Sequence, residues 1–256
     1  MVYGNQPLFN PGDLFAIGDV HGDADKLRDL LAIIEPKFTS TTHLVFCGDL
    51  FDVGPNVIGV WEIVIRLRKQ YPGQIYIVMG NHEIMLMMYL AGRDMVWSWG
   101  QRWGKTFLAQ TLAQWGSGEQ AFIADEFKKR GYGEVLVDLL PYYETPEVLV
   151  THAALEKHRV DSVGGLDEET QEGFLARMSE DSLYWNFVDE VTSWSGPPRI
   201  PELKKYLING HQRSHGNRPR QYAGRCFLDT GCGYKPTSPL AAVHYPTKKI
   251  FLSSDK

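Results

Sequence analysis

Cysteine is scarce in this chain: Cys47, Cys226 and Cys232 are three in 256 residues, an odd set with no Cys-x-x-Cys pair. That argues against a disulfide framework or a cysteine-ligated zinc site and suits a reducing, cytoplasmic setting. Cys47 ends an apolar run, so a buried structural thiol is expected there. No apolar stretch is long enough to cross a bilayer, and Met1–Pro11 lacks the charged and apolar regions of a secretory signal. Charge of one sign is also lacking. The 26 Lys and Arg against 31 Asp and Glu leave a net charge of −5, which gives no global attraction to nucleic acid or an anionic membrane. No Gly-x-Ser-x-Gly elbow appears, which disfavours a serine hydrolase. Gly104-Lys105-Thr106 matches the end of a P-loop, but Trp99 stands where its first glycine should be and no strand precedes it. Repeats, low-complexity segments and linkers are missing as well, so a single domain over residues 1–256 is expected.

What is present is a repeated strand–loop–helix order. Leu14–Ile17 reads as a buried strand, followed by Leu27, Leu30, Leu31 and Ile34 at helical spacing up to Pro36. His43–Cys47 reads as the second strand, with Val57, Val60, Trp61, Val64 and Leu67 as the next helix stripe. Ile75–Met79 and a helix over Glu83–Ala91 complete the series. Such an order implies parallel strands with right-handed crossovers and ligands beyond the strands' carboxyl ends. Further on, Glu147–Thr151, Tyr206–Ile208, Arg225–Leu228, Ala241–Tyr245 and Ile250–Leu252 are short strands, expected to form a second, largely antiparallel sheet. Between Gly92 and Gly133 lies a Trp-rich stretch, with Trp97, Trp99, Trp103 and Trp115 among Arg93, Arg102 and Lys105. Aromatics beside cations can stack a base, but packing of a small helical cap is the reading preferred here.

The loops after the first three strands carry Gly18-Asp19-Val20-His21-Gly22, Gly48-Asp49-Leu50-Phe51-Asp52 and Gly80-Asn81-His82-Glu83. Two more histidines follow, in Thr151-His152 and Gly210-His211. Strand ends placed side by side would bring Asp19, His21, Asp49, Asn81, His152 and His211 to one point. Carboxylate, amide oxygen and imidazole are the ligands of hard or borderline divalent ions. Two such ions about 3.5–4 Å apart suit in-line displacement at phosphorus.

These segments resemble the three signature motifs of the phosphoprotein phosphatase superfamily within the calcineurin-like metallophosphoesterases, and His152 and Gly210-His211 resemble that family's later histidine motifs. The compact bacterial and phage members are the most similar in look. The resemblance runs from Leu14 to Leu252. It implies an α/β fold of two packed mixed sheets flanked by helices, and a cofactor of two divalent ions. Manganese is expected, with iron, zinc or cobalt also compatible with N/O ligation. It implies that Asp19, His21 and Asp49 hold one ion and that Asp49, Asn81, His152 and His211 hold the other, with Asp49 bridging. The attacking group is then a hydroxide shared by the ions, His82 the acid for the leaving group and Asp52 its partner. Glu83 is expected to cap or brace its helix.

The chain also departs from the family. Many members carry Arg where Val53 and Met79 stand, and those arginines clamp the substrate phosphate. Arg199 is the first candidate for a replacement and Arg213 the second, beside Asn81 as a substrate-binding residue. The activity implied is that of a serine/threonine-type protein phosphatase acting on a phosphorylated protein. The alternatives are a dinucleoside polyphosphate hydrolase acting on a nucleotide, or a phosphate-binding module that has lost turnover.

Overall fold

The computed structural model describes residues 9–91, 113–116, 120–153, 205–214 and 216–253. The first sheet has the order β10-β9-β1-β2-β3, from Lys249–Leu252 (β10), Ala241–Tyr245 (β9), Asp13–Ile17 (β1), Thr42–Phe46 (β2) and Ile75–Ile77 (β3). The strands β1, β2 and β3 run parallel, as the strand–helix alternation requires. Alternation along β1 serves two layers. Phe15 and Ile17 belong to the core under the helices, while Leu14 and Ala16 belong to the core shared with the second sheet. A strand buried on both faces explains why these runs read as continuously apolar.

The helices α1 (Ala24–Ile34), α2 (Val57–Gln70) and α3 (Asn81–Leu90) follow the three strands. Both expected stripes are buried: Leu27, Leu30, Leu31 and Ile34 on α1, and Val57, Val60, Trp61, Val64 and Leu67 on α2. Asp23 caps α1, accepting the Lys26 N–H at 3.1 Å, and Asn56 caps α2 through the Gly59 N–H at 2.8 Å. Each cap satisfies an end amide that the helix itself leaves open, worth about 1 kcal/mol. Pro36 lies within a short 3-10 turn, Glu35–Lys37, that finishes the first helix.

The second sheet has the order β4-β5-β6-β8-β7, from Tyr143–Glu144 (β4), Val148–Thr151 (β5), Tyr206–Asn209 (β6), Arg225–Phe227 (β8) and Arg220–Tyr222 (β7). It departs from the sequence expectation in two ways. Its centre is parallel, β5 with β6 and β6 with β8, and only the edge strands β4 and β7 are antiparallel. In addition, β9 and β10 belong to the first sheet, where β9 runs antiparallel to β1. Short strands among Gly and Pro look like a meander. The long connections, residues 152–205 and 210–224, instead allow the crossovers that parallel pairing needs.

Two further helices, α4 (Gln120–Arg130) and α5 (Tyr132–Val137), pack beside α2: Trp61 meets Phe127 and Tyr132 at ring-centroid distances of 5.0 Å. Buried Trp115 joins them through Phe127 at 5.0 Å and Tyr132 at 5.5 Å, a packing role for this tryptophan. Trp97, Trp99, Trp103, Arg93, Arg102, Lys105 and Arg199 lie outside the described residues. No helix among the described residues is long and apolar enough to cross a membrane. Cys47 is fully buried, as expected, and so are Cys226 and Cys232.

Candidate metal centre

Both sheets deliver side chains to one point because their parallel strands end there. Asp19 and His21 follow β1, Asp49 and Asp52 follow β2, and Asn81 and His82 follow β3. From the second sheet, His152 follows β5, His211 follows β6 and Asp229 follows β8. The loops carry strain at these positions. His21, Asp49, Asp52, Val53 and His211 all have positive φ, between 46° and 81°. Such conformations are uncommon for L-residues and cluster where function over-determines the backbone. Gly48, at φ 97°, shows why: a Cβ there would lie 2.8 Å from Gly80 Cα and from His152 Nδ1. Only glycine allows the loops to close on each other this tightly.

Asp49 occupies the middle. Its Oδ2 lies 3.4 Å from His152 Nε2, 3.7 Å from His21 Nε2 and 3.9 Å from His82 Nε2, while Oδ1 accepts the His82 N–H at 3.0 Å. The ligand atoms of Asp49, His152 and His211 fall within 4.8 Å of one another, and so do those of His21, Asp49 and His82. The first group holds three of the four residues expected for the second ion, without Asn81. In the other group His82 stands where Asp19 was expected. Asp19 is nearby, with Oδ2 3.9 Å from His21 Nε2, and both its oxygens accept the His211 N–H, at 3.1 and 2.9 Å. His152 donates Nδ1–H to the Cys47 carbonyl at 2.8 Å, leaving Nε2 to face the site, 2.9 Å from Asn81 Oδ1. Such a bond fixes the tautomer of a ligating imidazole.

The charges conflict in a way that divalent ions resolve. Burial, then the neighbouring Asp229, pushes the Asp19 carboxyl well above the usual range, and burial pushes Asp229 up to about 6. Burial disfavours charge on His152, but the Asp49 carboxylate outweighs it and holds that imidazole up to about 10. Burial and the charge on His152 push His211 down to about 3, and burial pushes His21 down as well. Asp49 stays well below the usual carboxylate range because His152 and His82 overcome its burial. Buried carboxylates and histidines that cannot all take their preferred charge are relieved when cations replace protons. Two buried polar atoms, His21 Nδ1 and Asn81 Nδ2, have no hydrogen-bond partner among the described residues. The donor set therefore fits two divalent ions.

His82 donates its Nδ1–H to Asp52 Oδ2 at 2.8 Å. Burial opposes its charge, but the Asp49 carboxylate and the hydrogen bond to Asp52 raise its pKa to about 9. Glu83 does more than brace its own helix. Its fully buried carboxylate accepts the N–H groups of Asp49 at 2.8 Å, Leu50 at 2.8 Å and Gly80 at 2.9 Å, tying the second motif loop to the third. Glu83→Gln turns one oxygen into a donor facing donors. It is expected to cost about 1–3 kcal/mol, read as a lower midpoint in thermal or urea unfolding. An unchanged midpoint would mean that the loops hold without it.

Of the two arginine-for-other departures, Met79 is buried in the apolar core, so that position sends its side chain inward and not to phosphate. Val53 is half-buried on strained backbone. Arg213 is exposed, with its guanidinium 3.4 Å over the Tyr234 ring, and that ring meets His21 edge-on at 4.7 Å. Sequence reasoning missed Asp229 and Tyr234. Asp229 had a signal, since Leu228-Asp229-Thr230-Gly231 repeats the strand-then-aspartate pattern of the first two motifs. Tyr234 had none.

Comparison with known proteins places this geometry. The model of the calcineurin-like phosphoesterases matches residues 13–219. A bis(5'-nucleosyl)-tetraphosphatase PrpE (asymmetrical) of Halalkalibacterium halodurans is 28% identical, over 90% of this chain and 89% of the relative. A serine/threonine-protein phosphatase 4 catalytic subunit of Candida glabrata is 23% identical, over 71% of this chain and 52% of the relative. The crystal structure of a putative diadenosine tetraphosphatase superposes with a TM-score of 0.56 at 20% identity, covering 96% of each chain. The chain belongs to the calcineurin-like phosphoesterase family and is a metal-dependent phosphoester hydrolase.

Proposed function

We propose that the chain hydrolyses dinucleoside polyphosphates, splitting a four-phosphate bridge unequally with water to give a nucleoside monophosphate and a nucleoside triphosphate. The observation that carries this is Arg213, an exposed cation fixed over Tyr234 beside His21, where a substrate with several phosphates has one to spare for it. The likeness to the tetraphosphatase over nearly the full length of both chains supports the same reading. It reverses the preference taken from sequence, which put the protein phosphatase first.

Asp19, His21 and Asp49 would hold one ion and Asp49, Asn81, His152 and His211 the other, with manganese the proposed metal. When bound, such ions neutralise phosphoryl oxygens and lower the pKa of water toward neutrality. The chain's own groups do the rest. Asn81 orients the phosphoryl group from the start of α3. His82, held through Nδ1 by Asp52, presents Nε2 to the leaving oxygen and gives it a proton. Arg213 holds a phosphate oxygen by a charge-assisted hydrogen bond.

Arg213→Ala is expected to raise KM for a dinucleoside tetraphosphate about tenfold with little change in kcat, because the lost contact is worth ~1.5 kcal/mol and acts on bound substrate. Unfolding should shift by no more than about 1 kcal/mol, the worth of the lost contact with the Tyr234 ring. An unchanged KM would leave phosphate to the ions and Asn81.

One observation favours a protein phosphatase instead: the buried His82–Asp52 pair. A polyphosphate leaving group is stable as an anion near neutral pH, whereas a serine alkoxide needs a proton as it departs. The deciding experiment is a panel of diadenosine tetraphosphate, a phosphoserine peptide and cyclic nucleotides, scored by kcat/KM with Mn²⁺. A value for the dinucleotide about tenfold or more above the peptide is expected. The reverse order would restore the protein phosphatase.

A further inference from the structure

Asp52 and Val53 sit side by side at φ 81° and 69°. A β-branched residue is poorly suited to left-handed backbone, so something outside the turn must hold it. The turn closes through the Gly54 N–H, which donates to the Asp52 carbonyl at 2.9 Å, and a Cβ on Gly54 would overlap the His21 carbonyl. From the other side comes Gln114, 60 residues further along the chain. Its Nε2 donates to the Gly54 carbonyl at 2.8 Å, and its Oε1 accepts the Val57 N–H at 2.7 Å. Val57 is the first residue of α2, so its N–H has no partner within the helix. One amide thus ties the end of the strained turn to the start of the helix behind it.

Gln114 is itself fixed. Its neighbour Trp115 is buried against Phe127 and Tyr132, both of these pack on Trp61, and Trp61 stacks on Phe51 with ring centroids 3.4 Å apart. Phe51 directly precedes Asp52. The described end of the Trp-rich stretch therefore reaches the motif loop twice, by an aromatic stack and by a side-chain amide.

We propose that Gln114 is a positioning residue for the leaving-group acid, holding the Asp52-Val53-Gly54 turn so that Asp52 Oδ2 stays 2.8 Å from His82 Nδ1. This rests on the reading of His82 as that acid. Gln114→Ala frees the turn. It should lower kcat about tenfold on a phosphoserine peptide, leave KM unchanged and alter p-nitrophenyl phosphate turnover by less than about twofold, since an activated leaving group needs little protonation. Gln114→Glu separates positioning from stability. It keeps the acceptor for Val57, where a negative charge at the start of α2 is favourable, and loses the donor to the Gly54 carbonyl, so Tm should fall less than in the alanine variant while kcat falls as much.

A merely structural residue would lower both substrates together and in step with Tm, which would overturn the proposal. In a His82→Asn background, Gln114→Ala should have no further effect on kcat for the peptide, because the acid it positions is gone. If His82→Asn hits both substrates equally, the reading of His82 fails. If it discriminates between them and Gln114→Ala does not, the positioning role fails alone.

Discussion

Asp49→Asn is expected to reduce the metal content of the reconstituted protein from about two ions per chain toward none and to cut turnover about 10³-fold, some 4 kcal/mol of transition-state stabilisation. The size follows from where the carboxylate sits. Its Oδ2 faces His152 at 3.4 Å and His21 and His82 at 3.7 and 3.9 Å, a spacing suited to a shared cation. Asparagine has the same shape and can still accept the His82 N–H through its carbonyl oxygen, so the loop has no steric reason to move. What disappears is the negative charge common to both ligand sets. Asp19→Asn touches only one of them and should cost about one ion. Elemental analysis of both variants, with a thermal melt to show that each is folded, separates these outcomes. A full complement of ions in Asp49→Asn would remove that carboxylate from the bridge.

The contrast between Asp49 and Asp229 shows what a sequence makes legible. Asp49 lies in a motif, Gly48 to Asp52, whose glycine and two aspartates have a joint meaning that survives any background. The parallel half of the first sheet was equally readable, because the apolar runs of β1 to β3 alternate with clean helical stripes and their loops carry the proposed ligands. Asp229 obeys the same strand-then-aspartate grammar but lacks the glycine that precedes Asp19 and Asp49. Its importance comes only from the parallel placement of β8 beside β6, which strands of three and four residues do not announce. The sheet assignment of β9 and β10 failed for the same reason: pairing partners are chosen by crossovers and long-range register, not by local alternation. Glu83 was read from its position at a helix start, yet its oxygens serve a loop more than thirty residues away. Gln114 and Tyr234 belong to this class too. Their roles depend on which backbone or ring they reach, and no spacing rule encodes that.

His82→Asn is expected to lower kcat about 10²–10³-fold on a phosphoserine peptide, within the range that a positioned general acid supplies. The effect should shrink along a series ordered by leaving group. A dinucleoside tetraphosphate releases a phosphate anion that is stable near neutral pH, and p-nitrophenyl phosphate releases a stabilised phenolate, so both should lose about tenfold or less. Asparagine preserves the backbone N–H that donates to Asp49 Oδ1 at 3.0 Å, and metal content should be retained. Asp52→Asn should follow the same order with smaller losses, because it leaves the imidazole in place and removes only the carboxylate that aims it and that helps Asp49 keep it charged. The slope of the losses against leaving-group basicity is therefore the diagnostic quantity. A steep slope assigns the proton on His82 Nε2 to the departing oxygen. A flat one, with equal losses on all three substrates, would make His82 a binding or structural residue, and its nearness to His21 and Asp49 would then point to a place among the metal ligands.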